Sequence, residues 1–352
     1  MSEREQQVAA RAEGRTAQKA LDYPWLSDVI SQLNAYVVAD RLPHALLLSG
    51  RTGLGKKRLI RAYAKRLLCE ADPGTGFACH RCQSCLLFEA GNHPDYYYLQ
   101  PAETSQQILI DQIRQLNQDL KLQPQYEQFR VVVICLAEQL NVSAANSFLK
   151  TLEEPGQRTV FLLISNSPSL LMPTIQTRCQ HIRLPAPSIE TVSRWLSETQ
   201  NTENAQTLAC FSGAAPLYAV ELISSQKYEH RLTVLRMFIE TQFKDSRALG
   251  LTETWVKYSP EFVVYILITG TLDMIRLAMH PEIQENALYH PDQKRQLSQT
   301  AALLQVKSLF DFLDQIYRAK RLLSTQVNMQ LVFENCFIQW RLMIANQTGC
   351  NS

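Results

Sequence analysis

The chain has 352 residues, 46% of them hydrophobic and 19% charged, with a formal net charge of +2. This length exceeds one ordinary domain, and the composition suits a globular protein with a full apolar core. The near-neutral total excludes a strong polyanion-binding character for the chain as a whole and leaves room only for a local basic patch. The longest apolar run, residues 262–272, is ended by Asp273 and Arg276 and is too short to cross a bilayer.

Residues 1–22 are polar and mixed in charge and contain no apolar stretch of the signal-peptide kind, so a disordered N-terminal extension on a cytoplasmic protein is expected. Ordered chain is expected to start at Tyr23. Residues 45–49 (ALLLS) form an apolar run ending at Gly50, read as a buried strand. Residues 56–68 then switch to a helical period, with Leu59, Tyr63 and Leu67 on one face. Lys57, Arg58, Arg61, Lys65 and Arg66 cover the rest of that helix, read as a solvated face and a weak DNA-proximity candidate. Residues 69–85 are rich in cysteine. Further strands are expected at 96–99, 131–136, 160–165 and 181–184, with helices at 108–120 and 140–154. Strands alternating with helices imply a parallel α/β sheet covered on both faces. After Pro185-Ala186-Pro187 the strand pattern stops. Residues 189–222 read as a small helical segment broken at Ser212-Gly213, and from about residue 230 every strong period is helical.

Gly50-Arg51-Thr52-Gly53-Leu54-Gly55-Lys56 stands between a strand and a helix, where a phosphate-binding loop belongs. Gly50, Gly53 and Gly55 would let backbone N–H groups cradle phosphates, and Lys56 would reach the outer ones. The pattern then needs a hydroxyl residue for magnesium, and Lys57 stands there. The strand 131–136 needs a closing acid for the same metal, and it ends Cys135-Leu136. Both magnesium positions are lost, so ATP hydrolysis at this site is not expected. Retention of a nucleotide without hydrolysis and a bare glycine turn both stay open.

Of nine cysteines, Cys69, Cys79, Cys82 and Cys85 follow the spacing C-x9-C-x2-C-x2-C. Such pairs bring four thiolates onto one tetrahedral centre with no open position, which predicts structural zinc, with an iron–sulfur cluster as the alternative. His80 lies among them and is not needed for four-coordination. Cys135, Cys179, Cys210 and Cys336 read as small core residues, and Cys350 lies near the frayed end.

Together these stretches resemble the AAA+ clamp-loader family. The resemblance rests on Pro43-His44-Ala45-Leu46-Leu47, the altered phosphate loop, the 69–85 cysteine module, His93-Pro94-Asp95, Ala144-Ala145-Asn146, Leu149-Lys150-Thr151-Leu152-Glu153-Glu154-Pro155 and Thr177-Arg178-Cys179. It is specific over residues 23–222 and weak beyond. It implies a P-loop NTPase-like α/β AAA+ domain over 23–185 with the zinc module at 69–85 inserted. A small helical lid domain over 186–228 and an all-α collar domain over 229–352 would follow. It also implies a hetero-pentameric ring with gamma/tau and delta subunits, which loads the sliding clamp onto primed DNA during replication. In that family the arginine matching Arg178 reaches a neighbouring subunit's ATP, and motor subunits carry another arginine where this chain has Pro216. Every part needed for hydrolysis in cis is therefore altered while the part needed in trans is kept. An active ATPase motor subunit is the alternative, with Lys57, Cys135, Leu136 and Pro216 against it. A zinc-dependent nucleic-acid-binding module is a third reading, opposed by the near-neutral charge.

Overall fold

Apolar runs too short for a helix and bounded by turns form the central strands. A computed structural model of the chain describes residues 23–71, 76, 78–102, 105–240, 255, 258–323 and 327–348. The N-terminal extension and Cys350 lie outside the described residues. The five strands are β1 (Ala45–Ser49), β2 (Tyr96–Leu99), β3 (Arg130–Cys135), β4 (Thr159–Ser165) and β5 (Gln180–Arg183). They form one sheet in the order β2-β3-β4-β1-β5, and every pairing is parallel. The order requires each strand to be followed by a crossover, which the helices supply. β1, β3 and β4 are buried at every position, as strands covered on both faces must be. The edge strands β2 and β5 are partly exposed.

The helices of this unit are α1 (Ser27–Val38), α2 (Lys56–Leu68), α3 (Gln83–Glu89), α4 (Ile110–Asp119), α5 (Val142–Glu153) and the single turn α6 (Pro173–Gln176). On one face of the sheet, Ile113 and Leu116 of α4 and Phe148 and Leu152 of α5 join the cluster of Leu47, Val132, Ile134, Phe161 and Leu163. Alternation along each strand sends these side chains to one face and their neighbours to the other, where α2 packs on β3 and β4. The basic face assigned to α2 is not uniformly solvated: Lys65 and Arg66 are 2% and 5% exposed, and Arg61 lies over the Phe88 ring at 4.9 Å. Arg61 and Lys65 pair with Glu89, so these charges serve internal contacts.

The chain divides into two compact units, residues 1–186 and 187–352. The second is entirely helical among its described residues: α7 (Ile189–Gln200), α8 (Ala205–Phe211), α9 (Pro216–Ser224), α10 (Lys227–Glu240), α11 (Pro260–Met279), α12 (Lys294–Ala301), α13 (Val306–Leu322) and α14 (Met329–Thr348). Phe238, Phe312 and Trp340 bring α10, α13 and α14 together, with ring centroids 4.3–5.8 Å apart. By length and composition α11 could cross a membrane, yet 72% of its apolar window is buried inside this unit, where Gly270 lets Leu235 of α10 approach.

Residues 186–228 and 229–352, read as two domains in the sequence, share one core here. Phe211 at the end of α8 is fully buried against Phe262 and Tyr265 of α11, and the Tyr265 hydroxyl donates to its carbonyl at 2.5 Å. The fully buried Arg231 lies over the Phe211 ring at 5.3 Å and is bidentate to Asp292 at 3.0 and 2.6 Å. Arg231 also donates to His290 Nδ1 at 3.1 Å, while His290 Nε2 meets Thr269 Oγ1 at 2.9 Å. Burial and Arg231 hold the His290 pKa well below its ordinary value, so the ring stays neutral.

Candidate functional site

The loop after β1 has the path of a phosphate loop. Gly50 leaves the strand so close to the chain after β5 that a Cβ there would meet the Leu184 carbonyl oxygen at 3.1 Å and its Cβ at 3.2 Å. Gly55 caps α2 in the left-handed region at φ 96°, a conformation that favours glycine. Leu54 between them is buried, and its carbonyl accepts from Trp25 Nε1 at 3.0 Å, which ties the loop to the start of the ordered chain. Gly50, Arg51 and Leu54 line a shallow pocket with Arg183, Leu184, Pro185 and Ala186.

Lys56 is only 4% exposed, and its ammonium donates to the carbonyl oxygens of Gly50 at 2.5 Å and Arg51 at 2.6 Å. It is turned onto its own loop. Burial pushes its pKa down to about 8, with the Glu138 carboxylate opposing that shift. Lys57, at the hydroxyl position, is exposed. Cys135 at the end of β3 is fully buried and Leu136 takes a left-handed turn, φ 58° and ψ 56°. That turn and the short 3-10 segment Ala137–Gln139 bring Glu138 back beside the loop, where Oε1 accepts from the Asn166 backbone N–H at 2.9 Å. Sequence reading missed Glu138, because it expected an acid only at the strand end. Its place three residues later depends on a backbone turn that leucine rarely adopts.

Arg178 stands at the other end of the sheet. β5 runs parallel to β1 with Leu46 opposite Gln180 and Ser49 opposite Arg183. The strand therefore starts just after Arg178 and ends beside the phosphate loop, about 10 Å of extended chain later. Arg178 Nε donates to Glu153 Oε1 at 2.7 Å, NH2 pairs with the same oxygen, and NH1 donates to the Thr174 carbonyl at 2.8 Å. Both partners are exposed at their tips, 36% and 48%. Cys179 beside it is half-buried against the apolar cluster, and burial pushes its thiol up to about 12. In the helical unit, Pro216 opens α9 with no charge to offer, after Ala214 at φ 60° and Gly213 at φ 63°.

The four predicted cysteines come together. Their sulfurs all lie within 4.8 Å of one another, and Cys69 Sγ and Cys82 Sγ are 3.9 Å apart. A tetrahedron with metal–sulfur bonds of about 2.3 Å has sulfurs about 3.8 Å apart, so the donor set fits a metal ion. Cys69 ends α2 and Cys82 caps α3, with Cys85 in its first turn. Backbone N–H groups point at the sulfurs: Cys79 and Ala71 donate to Cys69 at 3.3 and 3.4 Å, Cys82 to Cys79 at 3.3 Å and Cys85 to Cys82 at 3.4 Å. A backbone hydrogen bond from Arg81, with the one from Cys82, holds the Cys79 pKa down to about 6, while burial raises those of Cys69 and Cys85. A bound cation would supply the positive charge that lets buried thiols ionise together. His80 is not in the cluster; its Nδ1 accepts from Lys65 Nζ at 2.6 Å.

The His93-Pro94-Asp95 turn ties this module to the sheet, a role the sequence did not reveal. The Asp95 N–H donates to His93 Nδ1 at 3.1 Å, which leaves Nε2 to donate to Ser84 Oγ at 2.7 Å. Ser84, between Cys82 and Cys85 on α3, donates in turn to the Leu68 carbonyl just before Cys69. Asp95 accepts from the backbone N–H groups of Gln125 and Tyr126 at 2.9–3.1 Å, and the buried Arg130 guanidinium is 3.8 Å away.

Comparison with known proteins adds what geometry alone does not. Residues 25–188 match the family described as DNA polymerase III, delta subunit, and residues 225–341 match its C-terminal family. The chain is 33% identical to the DNA polymerase III subunit delta' of Pseudomonas aeruginosa, over 90% of this chain and 97% of that one. It is 28% identical to the subunit delta' of Bacillus subtilis, over 87% and 93%. Among solved structures, a gamma subunit-related protein of Thermotoga maritima covers 89% of this chain and 99% of its own at TM-score 0.45 and 19% identity. With an altered phosphate loop, a four-cysteine module and near full-length similarity to these subunits, the chain belongs to the DNA polymerase III subunit delta' family.

Proposed function

We propose that this chain is the non-hydrolysing AAA+ subunit of a clamp loader. It would assemble with delta and gamma/tau in a hetero-pentameric ring, and the ring would load the sliding clamp onto primed DNA. Its own site has no hydroxyl at Lys57 and no acid at Cys135 or Leu136 to hold magnesium, and Pro216 replaces a γ-phosphate sensor. Its active contribution is Arg178, offered in trans to a neighbouring subunit's ATP. The observation that carries this reading is the position of Arg178 before β5, at the end of the sheet opposite Gly50 and Lys56. An arginine placed there acts on another chain's nucleotide or on none. The cysteine module would hold structural zinc through Cys69, Cys79, Cys82 and Cys85 and take no part in the chemistry. Residues 23–185 would form the AAA+ domain, and within the helical unit 186–228 would be the lid, packed on a collar of 229–352 through which the ring would be held. The test is steady-state ATPase of the isolated chain beside that of the rebuilt complex. The isolated chain should be inactive and the complex active; turnover by the isolated chain that is lost in Lys56→Ala would overturn the reading.

A further inference from the structure

We infer that Glu153 is a positioning residue for Arg178, holding the guanidinium ready for a neighbour's phosphate. This rests on the trans-acting reading of Arg178 and extends it to a residue 25 positions earlier on a different element. A free arginine side chain has four flexible torsions, and an arginine that acts across an interface must surrender that freedom before it contributes. Here the freedom is already restricted. Glu153 closes α5, and its Oε1 receives Arg178 Nε at 2.7 Å together with NH2. The Thr174 carbonyl, on the single turn α6, receives NH1 at 2.8 Å. α5 and α6 are themselves in contact, and Leu152 and Ile175, next to these two groups in sequence, are fully buried in the same cluster. The two acceptors are thus fixed from below by the core.

The contacts engage all three guanidinium nitrogens without using every donor. Of its five N–H donors, three are taken by Glu153 and Thr174, and two, one each on NH1 and NH2, remain for an incoming anion. A phosphate oxygen can accept from such charged donors. The carboxylate is half exposed, so its pairing with Arg178 is modest in strength and need not be broken for the tip to engage. Glutamate at this position serves through its acceptor oxygen. Glutamine keeps that oxygen in place and loses the charge, whereas alanine loses both.

The experiment is a comparison of clamp-loader complexes rebuilt with the unmodified chain, Glu153→Ala, Glu153→Gln and Arg178→Ala. DNA-stimulated ATPase is measured across ATP concentrations, and chain folding is checked by thermal melt and metal content. Glu153→Ala is expected to lower turnover at the site facing this subunit about two- to fivefold, the range an exposed pair of this kind supports, read as a fraction of the kcat lost in Arg178→Ala, with KM for ATP unchanged. Glu153→Gln is expected to restore most of that loss. Unchanged or raised kcat in Glu153→Ala, in complexes where Arg178→Ala is strongly impaired, would overturn the positioning role alone. Equal loss in Glu153→Gln and Glu153→Ala would overturn the acceptor role. If Arg178→Ala is also without effect, the trans-acting reading itself fails.

Discussion

Lys56 Nζ lies 2.5 Å from the carbonyl oxygen of Gly50, so the side chain that would meet a nucleotide's outer phosphates is bonded to its own loop. A phosphate entering the loop must displace that bond and the one to Arg51 and then stand without a magnesium ligand at Lys57 or Cys135. The purified chain is expected to turn over no ATP above a blank, with or without DNA. A coupled phosphate-release assay checks this.

The same lysine gives a pH signature. Its pKa is about 8 in the folded chain against an ordinary 10.5, because burial disfavours the charge. Between these values the unfolded chain binds more protons than the folded one, so this group's contribution to stability rises with pH. That contribution is full above about 10.5 and lost as pH falls through about 8. Lys56→Met should therefore flatten the rise in denaturant midpoint between pH 8 and pH 10 relative to the unmodified chain. Parallel curves for the two proteins would contradict it.

The cysteine cluster predicts about one zinc per chain by elemental analysis, and a colourless protein. Cys82→Ser should release the metal and destabilise the first unit, since metal binding is part of folding there. His93→Ala leaves the buried Ser84 hydroxyl and the Asp95 N–H without their partner, at a cost of about 1–3 kcal/mol. It should lower the melting temperature and speed zinc loss to a chelator while leaving all four ligands in place.

Much of this was readable in the residues. β1, β3 and β4 are continuous apolar runs because both faces are covered, and their boundaries fall within one residue of those expected. The four cysteines were readable because metal geometry forces short spacings. Glu138 was not readable, because the left-handed turn at Leu136 that returns it to the loop has no periodic mark. Nor was the Glu153–Arg178 pair, which joins two elements through tertiary packing. Lys65 and Arg66 are buried where a solvated face is expected, because a helical period shows which residues share a face and not what the rest of the chain will cover. The break at Ser212-Gly213 was visible, while the core that Phe211 shares with α11 was not.

That shared core alters where the chain can be cut. Ending it after Leu222 would strip Phe211 of Phe262, Tyr265 and Arg231 and expose a fully buried ring. Such a chain should aggregate or lose its terminal helices by circular dichroism. A chain ending after Ala186 should fold, bind zinc and fail to enter the complex, since residues 187–352 would be absent. Normal entry of that shorter chain into the ring would place the assembly surface in the first unit instead.

Arg178 is where the proposed function is most exposed to test. A guanidinium is always charged and presents a planar fork of donors, suited to the negative charge that spreads over a departing phosphoryl group. Arginine fingers of this kind are worth on the order of 10³-fold or more in rate. In the proposed ring one ATP site would face this subunit, so loss of Arg178 should remove that site's contribution and leave the others. The measurement is the clamp- and DNA-stimulated ATPase and clamp-loading rate of rings rebuilt with the unmodified or the Arg178→Ala chain, at matched assembly and zinc content. The Arg178→Ala ring should be slower in both, with Arg178→Lys rescuing poorly because an ammonium lacks the fork. Equal rates in the two rings would reduce Arg178 to a surface arginine paired with Glu153 and would contradict a trans-acting role for this subunit.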